Sequence, residues 1–212
     1  MEKANRRKLG GRTDGISISN FNKKMGEIRS ISLPPVVSCP NCALCSKGCY
    51  AVNVYRRRPT VRKAWDRNWR IYNDTPAKYF LDVKEFMVNR QASMKLFRWH
   101  VSGDIPSARY MEGMDLVASA FPTIEYLAFT KSYFIVDWYM NAYNKPDNLH
   151  LVLSGWPGLE MHNPHRLPVA WMQDGTEDRV PDDAIQCNSK CDSCGMCWQL
   201  EKLGKDVVLD KI

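Results

Sequence analysis

Short apolar runs alternate along this chain with longer stretches of helical periodicity. Leu96–Val101 (LFRWHV), Ile124–Phe129 (IEYLAF), Leu149–Leu153 (LHLVL) and Pro168–Met172 (PVAWM) are brief, aliphatic or aromatic, and bounded by turn formers, which predicts strands. Pro59 fits the first turn of a helix running to about Asn73, where a missing N–H costs nothing. Thr75-Pro76 makes a cap and first position for a second helix, whose apolar face is Phe80, Val83 and Met87. Ser107 can cap a third helix reaching about Phe121, and a fourth is expected near Ser132–Tyr143. This alternation predicts an α/β fold, either a partial parallel (β/α) barrel or an open parallel sheet of four to six strands, with outer helices. A chain of 212 residues can build one core plus a small appendage. The expected division is a basic N-terminal arm (1–20), an α/β core carrying an N-terminal cluster loop (21–180), and a C-terminal cysteine-rich cluster lobe packed on that core (181–212).

Charge changes the picture locally. The net charge of +7 is concentrated in Arg56, Arg57, Arg58, Arg62, Lys63, Arg67 and Arg70, opposed only by Asp66, and in Arg6, Arg7, Lys8 and Arg12 of the arm. Such a stripe suits nucleic acid or another anionic ligand at Arg56–Arg70, and equally suits a solvated helix face. Val61, Trp65, Trp69 and Tyr72 recur within it at helical spacing, which predicts a buried face and not a base-stacking platform. No stretch approaches the roughly 20 apolar residues of a membrane span, so no membrane partner is expected. The opening MEKANRRKLGG has no apolar segment of the kind a secretory signal needs, which points to the cytoplasm.

Chemistry enters with the cysteines. All eight fall in two runs: Cys39, Cys42, Cys45 and Cys49 (C-x2-C-x2-C-x3-C), and Cys187, Cys191, Cys194 and Cys197 (C-x3-C-x2-C-x2-C). The second spacing mirrors the first. Four thiolates within eleven residues can wrap a compact multi-iron core, and the first spacing is that of a bacterial ferredoxin run. Eight cysteines in 212 residues fall below the roughly 8–10% that marks a disulfide scaffold. Structural zinc prefers two C-x2-C knuckles separated by a longer loop, although one knuckle from each end of the chain remains an alternative. The expectation is two 4Fe–4S-type clusters held by these eight residues. Four cysteines close a cluster; three leave one iron open for chemistry. Either metal needs thiolates and a reducing compartment.

Parallel α/β folds bind ligands beyond the carboxyl ends of their strands. Here the predicted strands end in Ser102-Gly103-Asp104, Thr130-Lys131-Ser132, Ser154-Gly155-Trp156-Pro157-Gly158 and Gln173-Asp174-Gly175. Small residues admit a ligand to the backbone, and the polar ones offer a carboxylate, an ammonium and hydroxyls. Loops of this kind also have that composition for turn chemistry alone. Four together beside a metal loop point to a shared pocket. His100 and Trp99 should face opposite sides of their strand, with His100 a structural residue. His162 and His165 share a proline-rich loop where metal binding is a weaker alternative.

Taken in order, C-P-N-C-A-L-C-S-K-G-C-Y-A (39–51), R-W-H-V-S-G-D (98–104), F-T-K-S (129–132) and C-x2-C-x2-C-W (191–198) resemble a phage-associated family, gene product eighty-eight, over about Asn22 to Trp198. The family's first loop, C-P, a Cys, then C-Y-A, maps to Cys39, Cys45 and Cys49. That leaves Cys42 as an extra thiol and implies a three-cysteine cluster. The chain also resembles, more distantly, radical S-adenosylmethionine enzymes, with their early cysteine loop, partial barrel and Gly-plus-acid motif after the next strand. By that resemblance Ser102, Gly103, Asp104, Lys131 and Ser154 would bind S-adenosylmethionine, and Cys187–Cys197 would hold an auxiliary cluster fed by an electron donor. The spacing departs from the C-x3-C-x2-C of that superfamily: Cys42, Cys45 and Cys49 give C-x2-C-x3-C. The rival reading is a non-catalytic iron–sulfur module that binds nucleic acid or acts as a redox regulator. A phage origin would place either in the host cytoplasm.

Overall fold

In the computed structural model, which describes residues 15–173, 177–188 and 190–209, the expected strands form as β3 (Leu96–Trp99), β4 (Glu125–Thr130), β5 (Leu149–Ser154) and β6 (Val169–Met172). Four shorter strands join them: β1 (Ile18–Ser19), β2 (Arg29–Ile31), β7 (Ile185–Cys187) and β8 (Val207–Leu209). The sheet therefore has eight strands among the described residues, in the order β1-β2-β3-β4-β5-β6-β8-β7, and not the four to six expected. The extra strands are two or three residues long, too short to show a period of two in sequence. All pairings are parallel except that of β1 with β2. Asp174, Gly175 and the basic residues Arg6, Arg7, Lys8 and Arg12 lie outside the described residues.

Strand order dictates which face is covered. From β2 to β6 every connection steps one place in the same direction. Crossovers between parallel strands are right-handed in about 98% of cases, so all their helices fall on one face. These are α3 (Pro59–Asp74) and α4 (Pro76–Val88) before β3, α5 (Ala108–Ala120) before β4, and α6 (Tyr133–Ala142) before β5. Their buried side chains, including Tyr79, Val83, Met111, Met114 and Tyr139, pack with Phe97, Trp99, Tyr126 and Leu151 in the main core. The step from β7 to β8 runs backwards, because β8 inserts between β6 and β7. Its connection consequently crosses the opposite face. That connection holds Cys191, Cys194 and Cys197, and its Trp198 and Leu200 bury themselves against Leu127, Val152 and Ala170.

Ser107 caps α5 as expected, its hydroxyl accepting from Tyr110 N at 3.2 Å. Thr75 occupies the cap position of α4 but makes no side-chain cap; its carbonyl accepts from Tyr79 N instead. Tyr72 is buried and Trp69 packs against the core, whereas Trp65 stacks on Tyr55 outside it, with ring centroids 6.3 Å apart. The third strand stops at Trp99, two residues early, because His100 adopts a left-handed backbone at φ +54°. The rule of alternating faces fails beyond that point. His100 turns to the same side as Trp99, and both rings contact Tyr110. Burial, with the Arg98 charge second, pulls the His100 imidazole down to about 3. It is a neutral structural residue, its Nε2 lying 3.1 Å from the Tyr110 hydroxyl.

Candidate metal centre

The first cysteine run leaves the carboxyl end of β2 and is fastened to the turn that follows β3. Leu33 N donates to Ser102 O at 3.0 Å, joining the two strand exits. Gly103 sits at φ +80°, where a Cβ would lie 2.6 Å from Ser38 Oγ and 2.7 Å from Leu33 Cβ. Ser38 in turn donates to Pro34 O at 2.6 Å, closing the bend that delivers Cys39. The run continues through α1 (Cys42–Cys45) and a short 3-10 turn (Ser46–Gly48) to Cys49, which precedes α2 (Tyr50–Arg57). All four of its thiols are half-buried and free. Asn41 Nδ2 donates to Lys131 O, and Gly48 lies against the Trp156 ring. The loops after β3, β4 and β5 therefore all meet this run.

Asp104 is the centre of that rim. Its Oδ1 accepts from Thr130 Oγ1 at 2.5 Å and Ile105 N at 2.7 Å, and its Oδ2 accepts from Lys131 N at 2.8 Å. Burial lifts its carboxyl above the ordinary range, while these three donors and the Lys131 ammonium pull the other way. Thus Asp104 splices the turn after β3 to the turn after β4, and three of its lone-pair positions are already engaged. Lys131 Nζ lies 4.8 Å from the Trp156 ring centroid. Ser102 is buried with no partner for its hydroxyl. Ser154 contributes its carbonyl, which accepts from the Tyr133 hydroxyl at 2.5 Å.

Burial pushes the Cys39 thiol up to about 12, with the Asp104 charge adding to it. Cys45 is raised by burial first; the Lys131 ammonium opposes this, and the neighbouring Cys49 and Cys42 reinforce it. In the second run, Cys187 ends β7, Cys191 and Cys194 bound α7 (Cys191–Cys194), and Cys197 lies in the following turn. Cys191 N donates to Lys24 O at 3.0 Å, and Trp198 Nε1 donates to Glu125 O at 3.1 Å, pinning this run over the bare sheet face. Gly26 makes that fit possible, since a Cβ there would collide with the Asp192 carboxylate. Cys197 is pushed up to about 12 by burial, opposed by Arg98 and reinforced by Cys187, Cys191 and Cys194.

Among the described residues, no three Cys, His, Asp or Glu side chains already stand together as a metal site. Within each run, however, the thiols sense one another's charge. Eight soft sulfur donors in two groups are of the type that a thiophilic metal or an iron–sulfur core takes. His162 and His165 pair with Asp137 of α6, Nε2 to carboxylate at 3.1 and 3.0 Å, and hold its carboxyl below the ordinary range.

Three participants were missed by sequence reasoning. Asn41 and Tyr50 reach the rim backbone, Tyr50 donating to Val101 O. Arg98 lies on the bare face of β3, its guanidinium 4.0 Å from the Phe129 ring centroid. A lone cation inside the apolar run LFRWHV was the one available signal for it. On α2 and α3, Arg56, Arg57, Arg58, Arg62, Lys63 and Arg70 are exposed, and the nearby Asp66 accepts from the Tyr55 hydroxyl at 2.6 Å.

These features define a class: an α/β protein with a mostly parallel sheet, one thiol run at its carboxyl rim and a second across its bare face. The family model described as Gene product 88 matches residues 1–200, and the chain belongs to that phage gene-product family. Comparisons with curated proteins and with solved structures gave no match. No helix among the described residues is long and apolar enough to cross a membrane.

Proposed function

We propose that this chain is an iron–sulfur protein with two 4Fe–4S-type clusters, one on each cysteine run, built on the plan of a radical S-adenosylmethionine enzyme with a partial barrel. The observation that carries this reading is the seat of the first run. It leaves β2 at the carboxyl rim and touches the loops after β3, β4 and β5, where parallel α/β proteins bind ligands. Cys39, Cys45 and Cys49 would be its ligands, with Cys42 spare. When bound there, a reduced cluster would supply the one-electron reducing chemistry that a sulfonium cofactor needs. The chain's own contribution is placement. Asp104 holds two rim loops in register, Lys131 and the unpaired Ser102 hydroxyl offer polar groups to a cofactor, and the Trp156 ring lies 4.8 Å from the Lys131 ammonium. The second run would relay electrons from a donor protein.

Anaerobic purification with iron and sulfide analysis tests this directly. Iron and sulfide in equal amounts are expected, about half of each being lost in Cys45→Ala and none in Cys42→Ala. A colourless protein containing zinc would end the iron–sulfur reading. Perturbation of the reduced cluster's EPR signal by S-adenosylmethionine tests the cofactor separately.

A second reading, a nucleic-acid-binding module, is favoured by one observation. The exposed cations of α2 and α3 have no carboxylate within ion-pair distance among the described residues. If they meet phosphates, neutralising Arg56, Arg57 and Arg58 together is expected to reduce the slope of log affinity against log salt by about 3. Binding to DNA or RNA that ignores salt concentration would exclude it.

A further inference from the structure

Arg98 is the least explained charge in the molecule. It projects from the middle of β3 onto the bare sheet face, flanked in register by Ser30 and Leu127. That face is closed by the second cysteine run: Leu127, Val101 and Phe129 pack in one cluster with Cys187, Cys191 and Cys197. The guanidinium is half-buried and rests on the Phe129 ring at 4.0 Å. Among the described residues its hydrogen bond runs from Nε to Trp99 O at 3.2 Å. Among the described residues, no carboxylate lies within ion-pair distance of it. Burial works against its charge, while Tyr50, Cys197 and Cys191 favour it.

Arginine stays protonated in proteins, and a charge withdrawn from water without a counter-ion is strongly destabilising. An anion on this face would offset that cost, and the cysteines Cys187, Cys191 and Cys197 pack into the same cluster as the Phe129 ring under the guanidinium. We propose that Arg98 is the built-in counter-ion of the C-terminal cysteine site, matched to the net negative charge of a metal–tetrathiolate centre on Cys187, Cys191, Cys194 and Cys197. The inference rests on the reading that the cysteine runs hold metal, but not on which metal, since thiolates outweigh the charge of zinc and of a cubane core alike. Arg98 is a positioning and charge-balancing residue and is not itself a ligand.

The test uses the full-length chain with cobalt(II) as the probe, read by its thiolate charge-transfer absorption. Two binding phases are expected for the wild type. In Arg98→Met one phase weakens by about 10–100-fold while the other is unchanged, and Arg98→Lys restores most of the loss. Restoration by a second cation of different shape separates charge from packing. Should Arg98→Met fail to fold, Arg98→Gln, which keeps a donor without the charge, takes its place. In the iron-loaded protein, the midpoint potential of one cluster should fall when the cation is removed. Two unchanged cobalt phases in the neutral variants would overturn the counter-ion role and leave metal binding standing. No cobalt binding by any of the chains, wild type included, would overturn both.

Discussion

Asp104→Ala is expected to lower the unfolding free energy by about 3–5 kcal/mol. The carboxylate is 7% exposed and accepts from Thr130 Oγ1, Ile105 N and Lys131 N. Ile105 and Thr130 are themselves buried, so neither donor finds water when the acceptor is removed. Each orphaned buried donor costs about 1–3 kcal/mol. Asp104→Asn should fall in between, because Oδ1 still receives its two donors while the new amide turns an N–H toward Lys131 N. Urea denaturation monitored by tryptophan fluorescence measures both. A loss below about 1 kcal/mol in the alanine variant would show that the rim loops do not depend on this splice.

Gly103→Ala carries the next largest effect, about 2–4 kcal/mol, by a different route. The backbone at φ +80° suits glycine, and the new methyl would meet Ser38 Oγ at 2.6 Å and Leu33 Cβ at 2.7 Å. Ser38 cannot withdraw freely, since its hydroxyl already donates to Pro34 O. The strain therefore falls on the bend that presents Cys39. Metal content of the first run should drop while that of the second stays at the wild-type level. Ser38→Ala in the same chain removes one of the two clashes and should recover only part of the stability. Equal loss from both runs would mean that Gly103 serves the fold at large and not the cysteine loop.

The two effects explain why a Ser-Gly-Asp turn follows β3. Its glycine and aspartate are consumed in building the rim, which leaves the Ser102 hydroxyl as the group without a partner. Chemistry assigned to such a motif from sequence has to be weighed against this structural work. The same holds for His162 and His165, which are engaged by Asp137.

How much was legible in the chain depended on the length of each signal. The strands at Leu96, Glu125, Leu149 and Val169 and the helices after Pro59, Pro76 and Ser107 announced themselves, because runs of four to sixteen residues carry a period or a cap. The strands around Arg29, Ile185 and Val207 did not, since three residues carry no period and are specified by the neighbours they pair with. His100 defeated the alternation rule because a left-handed residue ends the pleat on which that rule depends.

Residue types and spacing alone determined the longer elements, the parallel α/β class and the gathering of sulfur into two runs, since these are properties of neighbours along the chain. Where those runs lie was a matter for the folded sheet. The backward step from β7 to β8 sends the second run across the face that the helices leave open, and the exits of β2 and β3 hold the first at the rim. Contacts such as Gly103 with Ser38, Gly26 with Asp192 and Arg98 with Phe129 join residues far apart in sequence. Their physical cause is strand order and crossover handedness, which no local pattern encodes.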